Sequence, residues 1–164
     1  MSPLRWEGFG GGLERVESAL EALLKRSQSR AALLMDSAGR LLSWVGDAPR
    51  FDVTTFVSLL AADFCATREL ARILGEEQFH SVCHQGESLS LYLAQVTDGT
   101  ILCLAYDRET TLGLVRFCVR QATPALMAAV NEGLVRPRPQ GEDFGEAFGA
   151  QASAQLARLF DAPH

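Results

Sequence analysis

The segment from Phe51 to Leu74 has more apolar positions than a single packing surface can use. On a helix at about 100° per residue, its apolar side chains cover roughly 220° of the circumference, about twice the stripe that a helix covering a sheet needs. These side chains are Phe56, Val57, Leu59, Leu60, Ala62, Phe64, Ala66, Leu70, Ala71, Ile73 and Leu74. The excess predicts that a second surface, beyond the chain's own core, packs against this helix.

The rest of the same helix forms a strip of small side chains with charges near one end. Its residues are Thr54, Ser58, Ala61, Cys65, Arg68, Glu69 and Arg72. Small side chains leave room for another molecule. We therefore expect a further binding partner to approach the helix along this strip.

The remaining pattern predicts two more helices and five strands. Apolar residues at helical spacing indicate helices over residues 13–26 and about 111–134, and the middle helix begins at Asp52 and closes at Gly75. Short turns join the strands into a hairpin and a three-stranded antiparallel meander. The predicted strands are 30–36, 40–45, 78–85, 88–97 and 100–107.

Two strands are apolar on both faces, which fixes the layers of the fold. Residues 31–35 and 101–105 contain almost only Ala, Leu, Ile, Met and Cys, so they belong at the centre of a sheet covered by helices above and below. The first and last helices share one face and the middle helix takes the other. The predicted fold is an α/β (α+β) sandwich of order α-β-β-α-β-β-β-α, with a five-stranded antiparallel sheet.

Residues outside this domain have a different character. We expect residues 1–12 to be a flexible N-terminal segment and residues 135–142, which are rich in proline and arginine, to be an extended linker. A capping box at Asp143 and Glu146 predicts an amphipathic helix over residues 143–160. Pro124 lies inside the last core helix and predicts a kink near Thr123.

Composition excludes several classes of function. The chain has 164 residues and a net charge of −5, with no run of Lys or Arg that could follow a phosphate backbone, which argues against nucleic acid as a ligand. No apolar core of a secretory signal and no stretch of about 18 apolar residues occurs, so we expect a cytoplasmic protein without a membrane span. Cys65, Cys83, Cys103 and Cys118 form no Cys-x-x-Cys pair, and we interpret them as small apolar residues rather than disulfides.

No catalytic or metal-binding constellation stands out. His80 and His84 point to one face of a strand while Cys83 points to the other, so the three do not form a metal site. Asp63 lies within the apolar arc without a partner nearby in sequence, and we interpret it as a satisfied polar group at the edge of the packing. Cys65 has no histidine beside it in sequence. We therefore expect no cofactor, no metal and no active site of the protein's own.

The element order and three segments resemble the Roadblock (dynein light chain) family, and more closely its bacterial GTPase-activating members. The segments run from Leu33 to Gly39, from Leu74 to Phe79 and from Thr111 to Arg116. The resemblance covers residues 13–134, which would form a Roadblock, or longin-like, domain.

The resemblance implies a homodimer in which third strands pair edge to edge and middle helices lie side by side. The expected dimer residues are Phe64, Ala66, Leu70, Ile73, Phe79, Ser81 and Cys83. It also implies that the dimer binds a Ras-like small GTPase of the MglA type in its GTP-bound form, in bacterial gliding motility and cell polarity. Hydrolysis would be activated by ordering the GTPase's own switch residues rather than by an arginine finger. The expected GTPase contacts are Ser58, Ala61, Ala62, Cys65, Arg68, Glu69 and Arg72.

Two other functions remain open from the sequence. A Roadblock scaffold would bind a GTPase or assemble a complex without stimulating hydrolysis. A small-molecule sensor module would also use a sheet with flanking helices, although no set of polar residues converges on a cavity in the sequence pattern.

Overall fold

The computed structural model describes residues 12–134, and their elements follow the predicted order. They are α1 (Gly12–Ser27), β1 (Ala31–Asp36), β2 (Leu41–Gly46), α2 (Val53–Ile73), β3 (Ser81–His84), β4 (Leu89–Thr97), β5 (Thr100–Asp107) and α3 (Leu112–Leu134). β3 is shorter than the predicted strand over 78–85, and Gly12, expected to be flexible, begins α1. The predicted linker over 135–142 and helix over 143–160 lie outside the described residues.

The five strands form one antiparallel sheet in the order β2-β1-β5-β4-β3. β5 is the middle strand and β1 lies beside it, as the apolar faces of both strands predict. Leu33 of β1 stands between Trp44 of β2 and Cys103 of β5. β2 and β3 are the two edges, and β3 hydrogen-bonds to β4 along one side.

Helices cover both faces of the sheet in the predicted layers. α1 and α3 pack on one face, where Leu20, Leu104 and Val115 are buried in the same core cluster. α2 packs on the other face, where its Phe64 and the sheet residues Leu33 and Cys103 are buried in a second cluster. The predicted α+β sandwich with helices on both faces is confirmed.

The ends of α2 lie at the two residues that the sequence identified, Asp52 and Gly75. The carboxylate of Asp52 caps the first turn and accepts a 3.3 Å hydrogen bond from the backbone N–H of Thr55. Hydrogen bonds from the Thr55 side chain and backbone hold the pKa of Asp52 below its ordinary value. Gly75 follows the helix with a positive φ of 77°, a conformation that glycine adopts without steric cost.

The turn between β1 and β2 packs directly on α2. Gly39 has a φ of 82°, and a Cβ atom added to it would lie 2.9 Å from the Cα atom of Ser58. This close approach requires glycine, and it places the start of the small-residue strip beside the β1–β2 turn.

α3 continues through Pro124, which cannot donate the usual helical hydrogen bond. The hydroxyl of Thr123 donates a 2.7 Å hydrogen bond to the carbonyl oxygen of Val119 in the same turn. The kink near Thr123 stays a prediction. No helix within residues 12–134 has the length and apolarity needed to cross a membrane.

Candidate protein-interaction surface

α2 presents one side to the sheet and leaves the other uncovered. The buried side chains recur at helical spacing and form a single stripe. They are Val57, Leu60, Ala61, Phe64 and Ala71. Val53 and Phe56, near the start of the helix, are partly buried against the same cluster. Further apolar residues of α2 lie outside this packing.

Those other residues form an exposed surface that we call the apolar flank. It consists of Leu59, Ala62, Ala66, Leu70 and Ile73, which fall within roughly 80° of one another at about 100° per residue. Leu59 is 65% exposed, Leu70 56% and Ile73 77%. Leu74, the C-cap, is also exposed. The surplus inferred from the sequence therefore lies on the surface of the single chain.

The small-residue strip lies on the side of α2 that faces the β1–β2 turn. Ser58, Cys65 and Arg68 are exposed there. Near the end of the helix, Nη2 of Arg72 donates a 2.6 Å hydrogen bond to Oε2 of Glu69. Both side chains are exposed, so this ion pair adds little stability.

Two residues of the expected interfaces are in the core instead. Ala61, assigned to the strip, is 4% exposed and packs with the β1 and β5 side chains, while Phe64, assigned to the dimer contact, is 1% exposed. The helical wheel alone does not show where the sheet lies. Both positions belong to the buried stripe, and neither side chain is accessible on the described surface of the chain.

The edge strand β3 lies on the same side of α2 as the apolar flank. Nε2 of His84, the last residue of β3, is 2.7 Å from Oδ2 of Asp63, the helix residue that borders the flank. The sequence showed no partner for Asp63 because His84 is 21 residues away and on another element. The interpretation of Asp63 as a satisfied polar group at the edge of the packing agrees with this contact.

The other expected dimer residues follow the same edge. Phe79, Ser81 and Cys83 are half-buried, with Ser81 and Cys83 on β3 itself. Among the described strands, β4 is the one that pairs with β3, so the outer backbone groups of β3 are available to another strand. The flank and the free strand edge thus form one continuous side of the molecule.

The four cysteines are free thiols in different surroundings. Cys103 and Cys118 are buried as predicted, whereas Cys83 is half-buried and Cys65 is exposed on α2. Burial raises the pKa of the Cys103 thiol to about 12. Burial and a 3.4 Å contact with Cys83 Sγ also raise the pKa of Tyr106 to about 12. Within residues 12–134, no group of three His, Cys, Asp or Glu side chains is placed to hold a metal ion.

A groove of about 620 Å³ that the sequence did not reveal lies beside the N-terminal half of α2. Trp44, Phe51 and Phe56 contact one another along its wall, and their ring centroids are 4.8–6.4 Å apart. Arg30 lies at its rim, 2.9 Å from Asp47 and 3.3 Å from Asp107, and its hydrogen bond to Asp47 is the main cause of a raised Arg30 pKa. The lining combines residues of all five strands and α2 with residues of the loops before β1, after β2 and after β3, so no single sequence segment indicates it.

Solved structures of MglB are similar to this chain over most of its length. Myxococcus xanthus MglB is 30% identical over 72% of this chain and 96% of its own, with a TM-score of 0.68. An MglB with a tetrameric arrangement is 32% identical over 81% of this chain and 99% of its own, with a TM-score of 0.72. The gliding protein MglB from Thermus thermophilus is 32% identical over 80% of this chain and 99% of its own, with a TM-score of 0.71.

The sequence also matches a domain family. The Roadblock/LC7 domain matches residues 15–105, which span α1 to β5. No curated protein matches the sequence significantly. The resemblance drawn from the three segments is confirmed: the chain belongs to the Roadblock/LC7 family and is of the MglB type.

Proposed function

We propose that the protein is a homodimeric activator of GTP hydrolysis by a Ras-like small GTPase of the MglA type. The observation that carries this proposal is the apolar flank of α2 beside the free edge of β3. The family resemblance implies the same activity, and the 32% identity to MglB over 81% of the chain supports it. The protein would act in the cytoplasm, in motility or cell polarity.

Dimerisation is the first step of the proposal. Leu70 and Ile73 expose most of their apolar area in the single chain, and each such side chain contributes about 1.5–3 kcal/mol when it is fully buried. Pairing of β3 with the same strand of a second copy would satisfy its outer backbone groups and close the sheet edge. The hydrogen bond between Asp63 and His84 holds α2 beside β3. One twofold interface would therefore bury the apolar flank and the β3 edge together.

GTPase binding is the second step. The exposed small side chains Ser58, Ala62 and Cys65 let another backbone approach α2 closely, and two helices side by side would bring two strips together. Arg68, Glu69 and Arg72 would lie at the end of each strip. The GTP-bound form of the partner would be selected through its switch segments.

Activation would come from the GTPase's own residues. Arg72 is already held by Glu69, and Arg68 belongs to the rigid body of a helix rather than a loop that could reach a phosphate. The protein would therefore order the catalytic residues of its partner and supply none of its own, in contrast to an arginine finger.

The groove near Trp44 is the feature that favours the sensor alternative, because its size suits a small molecule. Its charged rim groups are already engaged with each other: Arg30 binds Asp47 and Asp107, and His84 binds Asp63. A ligand would gain few polar contacts there, and the regulatory function is better supported.

The test is phosphate release from a GTP-loaded MglA-type GTPase, measured with and without this protein. We expect acceleration, and we expect Cys65→Arg to abolish it because the larger side chain blocks close approach to the strip. Ala22→Arg adds the same charge to an exposed position of α1 on the opposite face and is the matched control. Binding without acceleration would favour the scaffold, and wild-type acceleration by Cys65→Arg would contradict the assigned surface.

A further inference from the structure

The outer side of α3 presents a row of apolar side chains to solvent. At about 100° per residue the row lies within roughly 100° of the helix circumference, away from buried Val115, Val119 and Leu126. Phe117 is 55% exposed and Leu114 is 37% exposed. We call this surface the α3 stripe. It consists of the exposed residues Leu114, Phe117, Pro124, Ala125 and Ala128, with exposed Gln121 in its middle.

The α3 stripe is separate from the surfaces proposed on α2 and β3. α3 and α2 pack on opposite faces of the sheet, and none of the residues expected to contact a dimer partner or a GTPase belongs to the stripe. A helix on the surface of a domain normally has polar residues on its solvent side. An apolar stripe there therefore indicates a further packing partner.

The sequence that follows α3 contains a segment with a matching apolar pattern. In the helix predicted over residues 143–160, the large apolar side chains fall on one side of the helical wheel, within about 160° of one another. They are Phe144, Phe148, Leu156, Leu159 and Phe160, together with Ala152. Gly145 and Gly149 weaken the helix in isolation, so its formation requires packing against another surface.

The point at which α3 ends brings this segment close to the stripe. The end of α3 packs against the start of α1, where a Cβ atom added to Gly12 would lie 2.7 Å from the Cα atom of Gly133. Residues 135–142 can span about 26–29 Å when extended, whereas the axes of packed helices are only about 8–10 Å apart. A connection of this length is within the range of about 2–8 residues that commonly joins neighbouring helices.

We propose that residues 143–160 form a helix that docks antiparallel on the α3 stripe of the same chain. Such a helix is about 27 Å long, and the stripe from Leu114 to Ala128 extends about 21 Å, so the segment is long enough to cover it. The short connection keeps the segment at a local concentration in the millimolar range. It therefore occupies the stripe in preference to a free second copy of the chain.

The side-chain sizes of the two helices are complementary in this orientation. Phe148 would lie level with Ala128, one turn from Ala125, where the small side chains of α3 leave room for an aromatic ring. At the other end of the stripe, Leu159 would lie level with Phe117 and cover its exposed ring. This inference does not depend on the proposed GTPase activation, because it concerns only α3 and the segment after it.

The test measures how well position 125 is covered in the full-length protein. Ala125→Cys places a thiol in the stripe, and Met127→Cys places one outside it on the same helix, at a position that is 40% exposed. Each variant is labelled with a maleimide reagent, and mass spectrometry of the labelled peptides separates these sites from the exposed Cys65. We expect Ala125→Cys to react at least tenfold more slowly than Met127→Cys.

A charge on the apolar side of the segment should remove this protection. When Phe148→Asp is added, Ala125→Cys should react at about the same rate as Met127→Cys. Ala150→Asp is the matched control, because two residues along a helix place it on the opposite side of the wheel from Phe148. Ala125→Cys should stay protected when Ala150→Asp is added.

Three results would overturn the proposal. The first is equal reaction rates for Ala125→Cys and Met127→Cys, and the second is protection of Ala125→Cys that persists with Phe148→Asp. The third is protection that increases with protein concentration, which would assign the stripe to a second copy, because docking within one chain is independent of concentration. None of these measurements involves GTP hydrolysis, so their outcome is separate from that of the proposed function.

Discussion

Nε2 of His84 lies 2.7 Å from Oδ2 of Asp63, which joins the middle of α2 to the end of the edge strand β3. This contact aligns the two surfaces that the proposed dimer would bury, the apolar flank and the free strand edge. It also gives Asp63 a partner that is distant in sequence.

The Asp63–His84 contact should matter more for pairing than for the stability of the chain. Both side chains are more than one third exposed, so water screens the interaction, and a double-mutant cycle with Asp63→Ala and His84→Ala should give a coupling of about 0–1 kcal/mol in urea unfolding. In sedimentation experiments the same substitutions should weaken dimerisation measurably. A coupling of several kcal/mol under conditions that keep the protein monomeric would contradict this view.

Two glycines with similar backbone angles should respond differently to alanine. Gly39→Ala has two costs: the φ of 82° is unfavourable for alanine, and the added Cβ would lie 2.9 Å from the Cα atom of Ser58. It should therefore lower the free energy of unfolding by more than about 2 kcal/mol. Gly75→Ala has only the cost of a positive φ, because no atom lies within 4 Å of the added Cβ. It should lower the free energy of unfolding by about 1 kcal/mol. Equal losses in thermal or urea unfolding would show that the turn does not pack on α2.

Phe64 should behave as a core residue, not as an interface residue. Phe64→Ala removes a side chain that is 1% exposed and should lower the free energy of unfolding by about 3–5 kcal/mol. Met127→Ala, at a position that is 40% exposed on α3, is the control and should change it by less than about 1 kcal/mol. A small loss of unfolding free energy for Phe64→Ala would contradict a core position and would support the assignment of Phe64 to the dimer surface.

The cysteines should report on the GTPase contact. At pH 8 Cys65 should react rapidly with a thiol reagent, while buried Cys103, whose pKa is raised to about 12, should stay protonated and unreactive until the protein unfolds. Addition of a GTP-loaded MglA-type GTPase should slow the labelling of Cys65, as mass spectrometry of the labelled peptides would show. If the labelling rate of Cys65 stayed the same in the complex, the GTPase would have to bind outside the small-residue strip.

The sequence predicts the layers of this fold well because its patterns are local. Continuous apolar runs identify β1 and β5 as central strands, and Asp52 and Gly75 mark the ends of α2. What the pattern does not show is how α2 is turned relative to the sheet. Small residues serve both buried and exposed positions, so the pattern places Ala61 on the accessible strip although this residue faces the core.

The contacts that the sequence missed all join separate elements. Asp63 contacts His84, 21 residues away, and the groove near Trp44 is built from all five strands, three loops and α2. β3 is shorter than predicted because its register with β4 begins at Ser81, and the carbonyl oxygen of His80 before it accepts one long hydrogen bond, 3.4 Å, from the N–H of Gln95. Periodicity within one segment carries no information on such placements.

The oligomeric state tests the central claim most directly, because every step of the proposed mechanism requires the apolar flank to be a pairing surface. Analytical ultracentrifugation should find a dimer for the wild type and a monomer for Ile73→Asp, which places a charge in the flank. Leu114→Asp, at an exposed leucine on α3, should remain a dimer. A wild-type protein that stays monomeric at high concentration, or a dimer that Ile73→Asp leaves intact, would contradict the account.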